Sequence, residues 1–305
     1  MSVDSLIESM DIRDWSEARS SADQARALRA VESGKLLFLP KLAFALTSEE
    51  RRFLDPCCSD GKAKNISFDS HRFSVGGSSV QGRDRQDLAA LLHRFSLQSR
   101  ALLAGLLPRY ADHLEIGRAS LRVVRIGERG LSFRKDDRLL HVDAFPSQPT
   151  QGRRILRVFS NVDPGGSGRV WRMGGPFADY AGRAVPRLRP PLPGASAILA
   201  WAGVTKGRRA RYDWLMLALH DKLKADQDYQ GAGCRLETAF PAGSSWIVFT
   251  DQVVHAAIEG QHALEQTFYL PVSAMDNPEL APLRILERLA GRKLAGPYER
   301  SRLGG

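Results

Sequence analysis

The amino-acid sequence predicts a mainly β fold with flanking helices, arranged as a jelly roll. Three observations lead there. About eight short apolar runs, several of them alternating, fall between residues 116 and 275 and are separated by Gly- and Pro-containing turns. Helical periodicity concentrates towards the two ends of the chain. No internal repeat divides it, so residues 1–305 read as a single domain. Within it, residues 1–115 form a mostly helical N-terminal support. Residues 116–275 form the jelly-roll core with an inserted helix at 212–226, and residues 276–305 a C-terminal helix and tail.

Residues 1–20 read as an irregular lead-in. Ser21-Ala22-Asp23-Gln24 has the capping-box spacing, and Ala25, Leu28 and Val31 carry a helix on to Gly34. Residues 35–39 read as a strand stopped by Pro40, and Thr47-Ser48-Glu49-Glu50 opens another helix. The Ser-, Gly- and Asp-rich stretch 55–84 reads as loop. Residues 84–113 form the longest helix, burying Leu88, Leu91, Leu92, Phe95, Leu102, Leu103 and Leu106, with Pro108 as its break. Strands follow at 120–126, 141–145, 151–161 and 169–172, with a Gly-rich turn at 162–168. The Pro- and Arg-rich stretch 181–194 reads as a surface loop. After the helix at 212–226 come strands at 236–240, 246–249, 253–257 and 266–270, then a helix at 279–289.

Composition narrows the function classes. Hydrophobic residues are 43% and charged residues 26%, the balance of a globular chain. No run approaches the roughly 20 apolar residues that span a bilayer, and residues 1–14 are acidic, without a secretory pattern, so the expected location is the cytoplasm. Cys57 and Cys58 are adjacent, which is not zinc-ligand spacing, and Cys234 stands apart. The net charge of +10 favours anionic partners: nucleic acid, anionic lipid or a phosphorylated sugar. No helix-turn-helix, zinc-finger or RNP pattern accompanies it, so nucleic acid is not expected.

The chemistry-bearing motif is His141-Val142-Asp143. On a strand the two polar side chains share a face. One imidazole and one carboxylate make two-thirds of a facial triad, the arrangement that holds non-heme Fe(II) and leaves positions open. His255, in the later run 253–257, is the best third ligand. The histidines at 71, 93, 113, 220 and 262 lie in polar, helical or turn surroundings. Zinc can use two histidines and a carboxylate as well. A zinc hydrolase also needs a general base, and no Glu stands at metalloprotease spacing, so iron is favoured. Such a centre suits a bidentate 2-oxo acid and O2. Its far carboxylate needs a cation, and three arginines sit in strand-like runs where a charge is costly without an anion. Arg157 shares a face with Phe159 and Asn161, Arg169 with Trp171, and Arg122 with Val124.

The run LLHVDAFPSQPTQGRRILRVFSNVDP followed by GRVWRMGGPF resembles the Kdo 3-hydroxylases, as do the ESGKLLFLPKLAFAL segment and the His255 region. The resemblance implies a double-stranded β-helix of the 2-oxoglutarate dioxygenase type. It implies His141, Asp143 and His255 as iron ligands, and a 2-oxoglutarate pocket lined by Arg122, Arg157, Arg169 and Trp171, to which Asn161 is added. It implies hydroxylation of C3 of Kdo to give Ko on a Kdo-bearing lipid A, at the cytoplasmic face of the inner membrane. Many members of the wider superfamily place Arg or Lys about ten residues after the distal histidine; here that stretch, 262–267, holds no basic residue. The anchor is therefore expected from Arg157 or Arg169. Two basic clusters, Arg183/Arg187/Arg189 and Lys206/Arg208/Arg209/Arg211, are expected to meet the anionic glycolipid or membrane surface. The competing readings are a dioxygenase for another substrate and a non-catalytic jelly-roll binder of acidic glycans.

Overall fold

In a computed structural model the protein is described over residues 6–128, 132–188 and 209–296. Eleven strands form two sheets among these residues. The strands are β1 (Ile7–Ser9), β2 (Leu36–Leu39), β3 (Ile66–Asp69), β4 (Ser74–Gly76), β5 (Glu115–Arg122), β6 (Arg154–Asn161), β7 (Arg169–Gly174), β8 (Cys234–Phe240), β9 (Ser245–Phe249), β10 (His255–Glu259) and β11 (Ala263–Leu270). The large sheet runs β1-β2-β9-β6-β11-β5-β3-β4 and the small sheet β10-β7-β8. Among the described residues only β1 and β2 pair in parallel. The helices are α1 (Ser21–Glu32), α2 (Gly82–Leu106), α3 (Phe177–Ala184), α4 (Arg211–Ala225), α5 (Gln227–Ala232) and α6 (Pro282–Ala290).

Burial explains the layering. Every residue of β6, β9 and β11 is buried, because both faces of the large sheet are covered. One face carries Leu156, Val158, Ile247, Phe249, Leu264 and Phe268, which join Leu88, Leu92, Phe95 and Leu103 of α2 in the main apolar core. The other face meets the small sheet. There the register sets Phe159 between Glu265 and Trp246, and Arg157 between Thr267 and Val248. Phe159, Trp246 and Phe240 stack, with Trp171 edge-on to them. Such pairs add roughly 0.5–1.5 kcal/mol each beyond area burial. This aromatic plug fills part of the sandwich interior, and Phe159 and Trp171 also line the cavity beside it.

Several elements differ from the sequence expectation. The first 115 residues supply four strands as well as helices, so they extend the large sheet at both edges. Ile7–Ser9 pairs with β2 inside the expected lead-in. The expected loop 55–84 contains β3 and β4, a short hairpin whose polar composition hides it. Ser20, one residue earlier than expected, caps α1 by accepting from the Asp23 N–H. Helix α2 stops at Leu106, and Pro108 opens a separate turn rather than kinking it. The expected loop at 181–194 begins inside α3, which buries Phe177, Tyr180, Ala181 and Ala184 on one face. Its remainder from 189 lies outside the described residues. The segment 141–145 is not a strand. His141 makes one isolated bridge to His255 instead.

Candidate active site

Two pairings bring the three candidate ligands together. The His141 N–H donates to the His255 carbonyl at 2.9 Å, and the His255 N–H returns the bond to His141 at 2.8 Å. The Asp143 N–H donates to the Thr250 carbonyl at 2.8 Å. The bridge thus sets the 141 segment alongside β10 at the edge of the small sheet. Ligand atoms of His141, Asp143 and His255 all lie within 4.8 Å of one another, close enough for one ion to touch all three.

The histidine tautomers are fixed by the backbone. His141 Nδ1 lies 2.7 Å from the Leu139 carbonyl and His255 Nδ1 lies 2.8 Å from the Val253 carbonyl. A carbonyl only accepts, so each Nδ1 carries the proton and each Nε2 keeps its lone pair. Burial pushes both imidazoles below their ordinary pKa, and His141 is lowered further by His255 and Lys224. Both are therefore neutral, as metal ligands must be. Burial pushes the Asp143 carboxyl up, but Arg157 and the two imidazoles outweigh it and hold it well below the carboxylate range. The Trp171 ring stacks on His255 at 5.0 Å, and His220 meets His141 edge-on at 5.5 Å.

The three arginines of the sequence argument all line the cavity of about 800 Å³ that contains the triad. Their surroundings separate them. Arg157 Nη1 lies 2.8 Å from Glu265 Oε1, and its Nε faces Asp143 Oδ2 at 3.3 Å. Arg122 pairs with Glu265 at 2.7 Å and Asp137 at 3.1 Å. Arg169 has no carboxylate within ion-pair range among the described residues. Its Nε and Nη1, and Trp171 Nε1, are buried without hydrogen-bond partners. Burial, with Arg122 adding to it, pushes the Arg169 guanidinium down to about 9, so it stays charged at neutral pH.

A family model for 3-deoxy-D-manno-oct-2-ulosonic acid (Kdo) hydroxylase matches residues 14–293. The chain belongs to the Kdo hydroxylase family. Solved structures of the Kdo hydroxylase KdoO, described as a non-heme Fe(II) alphaketoglutarate-dependent dioxygenase, are 46% identical to it. The complex with alphaketoglutarate and Fe(III) superposes with a TM-score of 0.92, over 96% of this chain and 98% of that one. The cobalt(II) complex gives 0.94 over 96% and 99%, and the succinate and Fe(III) complex 0.93 over 96% and 99%. No curated protein matches the chain.

This Kdo hydroxylase chain fits both groups that those structures hold. Two neutral imidazoles and an ionised carboxylate are a donor set for iron(II) with positions left open. Arg169 and Trp171, two residues apart on one face of β7, carry the orphaned donors that the far carboxylate of a dicarboxylic acid would take. The remaining expected site residue is elsewhere. Asn161 gives its amide N–H groups to Ser167 and Phe240 carbonyls and accepts from the Asp163 N–H, so it ties the 162–168 turn and does not line the cavity. Sequence reasoning missed Glu265, His220 and Lys224, which do line it. Glu265 had a signal: it stands ten residues after His255, at the very place where a basic residue was sought. His220 and Lys224 come from α4 and had none.

Proposed function

We propose that the chain, as one dioxygenase domain over residues 1–305, hydroxylates C3 of a Kdo sugar on lipid A, giving Ko. The reaction consumes O2 and 2-oxoglutarate and releases succinate and CO2. The observation that carries this reading is the triad of His141, Asp143 and His255 beside Arg169, a buried guanidinium with no carboxylate in ion-pair range among the described residues. Family membership supplies the sugar.

His141, Asp143 and His255 would hold the metal, and Arg169 with Trp171 Nε1 the far carboxylate of 2-oxoglutarate. Bound iron and its keto acid supply the O2 activation and the oxidising power. The chain supplies position and dryness. Arg157 steers Asp143 with one edge of its fork and leans on Glu265 with the other. Trp171 buttresses His255, while the aromatic plug excludes water behind the site. Glu265 replaces the basic residue common elsewhere and consumes Arg122 and Arg157, which shifts the anchor to β7.

No helix among the described residues is long and apolar enough to cross a membrane. We place the enzyme in the cytoplasm, at the inner-membrane face where Kdo-lipid A is made. Arg183, Arg187 and Arg211 are the described cations that would contact the lipid surface; Arg189, Lys206 and Arg208 lie outside the described residues, and Arg209 lines the cavity. The test is mass spectrometry of Kdo-lipid A after incubation with the enzyme, Fe(II), ascorbate and 2-oxoglutarate. One added oxygen on Kdo is expected. Asp143→Ala should lose bound metal and lower turnover by more than about 100-fold, exceeding the effect of losing a mere outer-shell partner. Succinate formation with unmodified Kdo-lipid A would point to another substrate. Normal glycan affinity in a metal-free protein would point to a binder.

A further inference from the structure

The cavity holds a second buried cation that the metal and the keto acid leave unused. Lys224 is 4% exposed and lines the cavity from α4. It ends a stripe, Leu217, His220, Asp221 and Lys224, whose spacing puts all four on one helix face. His220 on that stripe is the ring packed edge-on to His141. Lys224 comes one turn later, about 6 Å along the axis.

The Lys224 ammonium donates to the Arg134 carbonyl at 2.9 Å, which uses one of its three N–H groups. The acids nearby are taken. Asp136 pairs with Arg138, Asp137 with Arg122 and Lys64, and Asp221 with Arg134 and His220. Burial pushes the Lys224 ammonium down, and Asp137 offsets this only in part, as expected of a cation held away from water with no acid in ion-pair range among the described residues. The other cations at the mouth differ. Arg118, Arg134 and Lys135 are exposed, where solvent and salt weaken any pairing.

We propose that Lys224 receives the C1 carboxylate of the sugar substrate and thereby positions C3 at the metal. This rests on the reading of the chain as a Kdo hydroxylase. A 2-ulosonic acid carries its carboxylate on C2, the neighbour of the 3-deoxy carbon. Fixing the carboxylate therefore fixes C3 within two bonds. Two anions must enter this cavity, the keto acid and the sugar acid, and among the described residues that line it two buried cations, Arg169 and Lys224, have no carboxylate within ion-pair range. An ammonium on a flexible stem suits a carboxylate on a ring that must be turned to present one C–H. A buried charge also discriminates, because a neutral analogue leaves it unpaired.

The test compares the methyl glycoside of Kdo with its C1 carboxamide, using wild type, Lys224→Gln and Lys224→Arg. Calorimetric affinity, hydroxylation and 2-oxoglutarate affinity are all measured. Wild type should bind the acid at least about tenfold more tightly than the amide, the scale of a hydrogen bond to a charged group. Lys224→Gln should lose about that factor for the acid and little for the amide. Lys224→Arg should regain part of it. The affinity for 2-oxoglutarate should stay within about twofold in all three, which also reports an intact fold. Equal losses for acid and amide in Lys224→Gln, with wild type active on Kdo, would overturn the inference alone. Wild type failing to hydroxylate either glycoside or Kdo-lipid A would overturn the functional reading and the inference with it.

Discussion

The large sheet buries Arg154 on its helix side and the small sheet buries Arg169 towards the cavity, and the two arginines are treated differently. On the helix side, Arg154 is fully buried and fully satisfied. Its Nε lies 2.7 Å from Asp251, its Nη2 2.6 Å from Gln252 Oε1, and its plane covers the Phe249 ring at 3.8 Å. On the cavity side, Arg169 is 3% exposed and has two orphaned nitrogens. A buried charge whose partners come from its own chain is architecture. One left without them is a site, because desolvation without pairing is tolerated only where a ligand completes it. On the helix side the buried charges are paired among apolar side chains, while the cavity side concentrates ionisable groups around open space.

Removing each arginine breaks the comparison most directly. Arg154→Leu leaves Asp251 buried and unpaired and should cost about 3–5 kcal/mol of stability. Affinity for 2-oxoglutarate should not change in the protein that remains folded. Arg169→Leu should do the reverse. It removes an unpaired buried cation, so the unfolding midpoint should hold or rise. Affinity for 2-oxoglutarate should fall about tenfold to a hundredfold, the equivalent of roughly 1.5–3 kcal/mol for a hydrogen-bonded charge. Denaturant unfolding and calorimetric titration of 2-oxoglutarate read both. Destabilisation by Arg169→Leu as large as that by Arg154→Leu, with unchanged co-substrate affinity, would erase the distinction.

That division was only partly legible in the sequence. The His-x-Asp motif and His255 were visible because ligand types inside apolar runs are conspicuous. The reason given for their shared face was incomplete, since 141–143 is held by one bridge and one bond to Thr250 rather than by a strand. The three cavity arginines were visible for the same reason, but their ranking was not. It depends on Glu265 and Asp137, which reach Arg122 from positions 143 and 15 residues away. Asn161 shared the right strand face, yet the turn beside it claimed its amide. Lys224 lies on a helix with polar positions on several sides, and nothing local marks which of them the cavity receives.

The Glu265 network offers a second, pH-dependent way to sharpen the contrast. Burial pushes the Glu265 carboxyl up, but Arg157 and Arg122 outweigh it and hold it below its ordinary value. A carboxyl depressed in the folded state stabilises above its unfolded value, about 4.3. That contribution disappears as pH falls through the folded value. Glu265→Gln should therefore cost about 2 kcal/mol at pH 7, the scale of hydrogen bonds to charged groups. The gap between variant and wild type should narrow as pH is lowered below 4. Urea unfolding of both proteins across that range is the measurement. A gap that widens towards acid would contradict the direction of the shift.

The smallest effect separates the two tasks of Trp171, which touches both the metal end and the anchor end of the cavity. Its ring stacks on His255, and its Nε1 is a buried donor without a partner. Phenylalanine keeps a ring and drops the donor. Trp171→Phe should weaken 2-oxoglutarate about tenfold, near 1.5 kcal/mol, the low end for a hydrogen bond to a charged group, while metal affinity holds. Trp171→Ala removes the ring as well, so His255 loses its buttress and metal affinity should fall about tenfold, as for other outer-shell losses. Metal titration alongside co-substrate titration distinguishes them. If both variants weaken metal equally, the stack does not orient His255, and Trp171 belongs with the anchor alone.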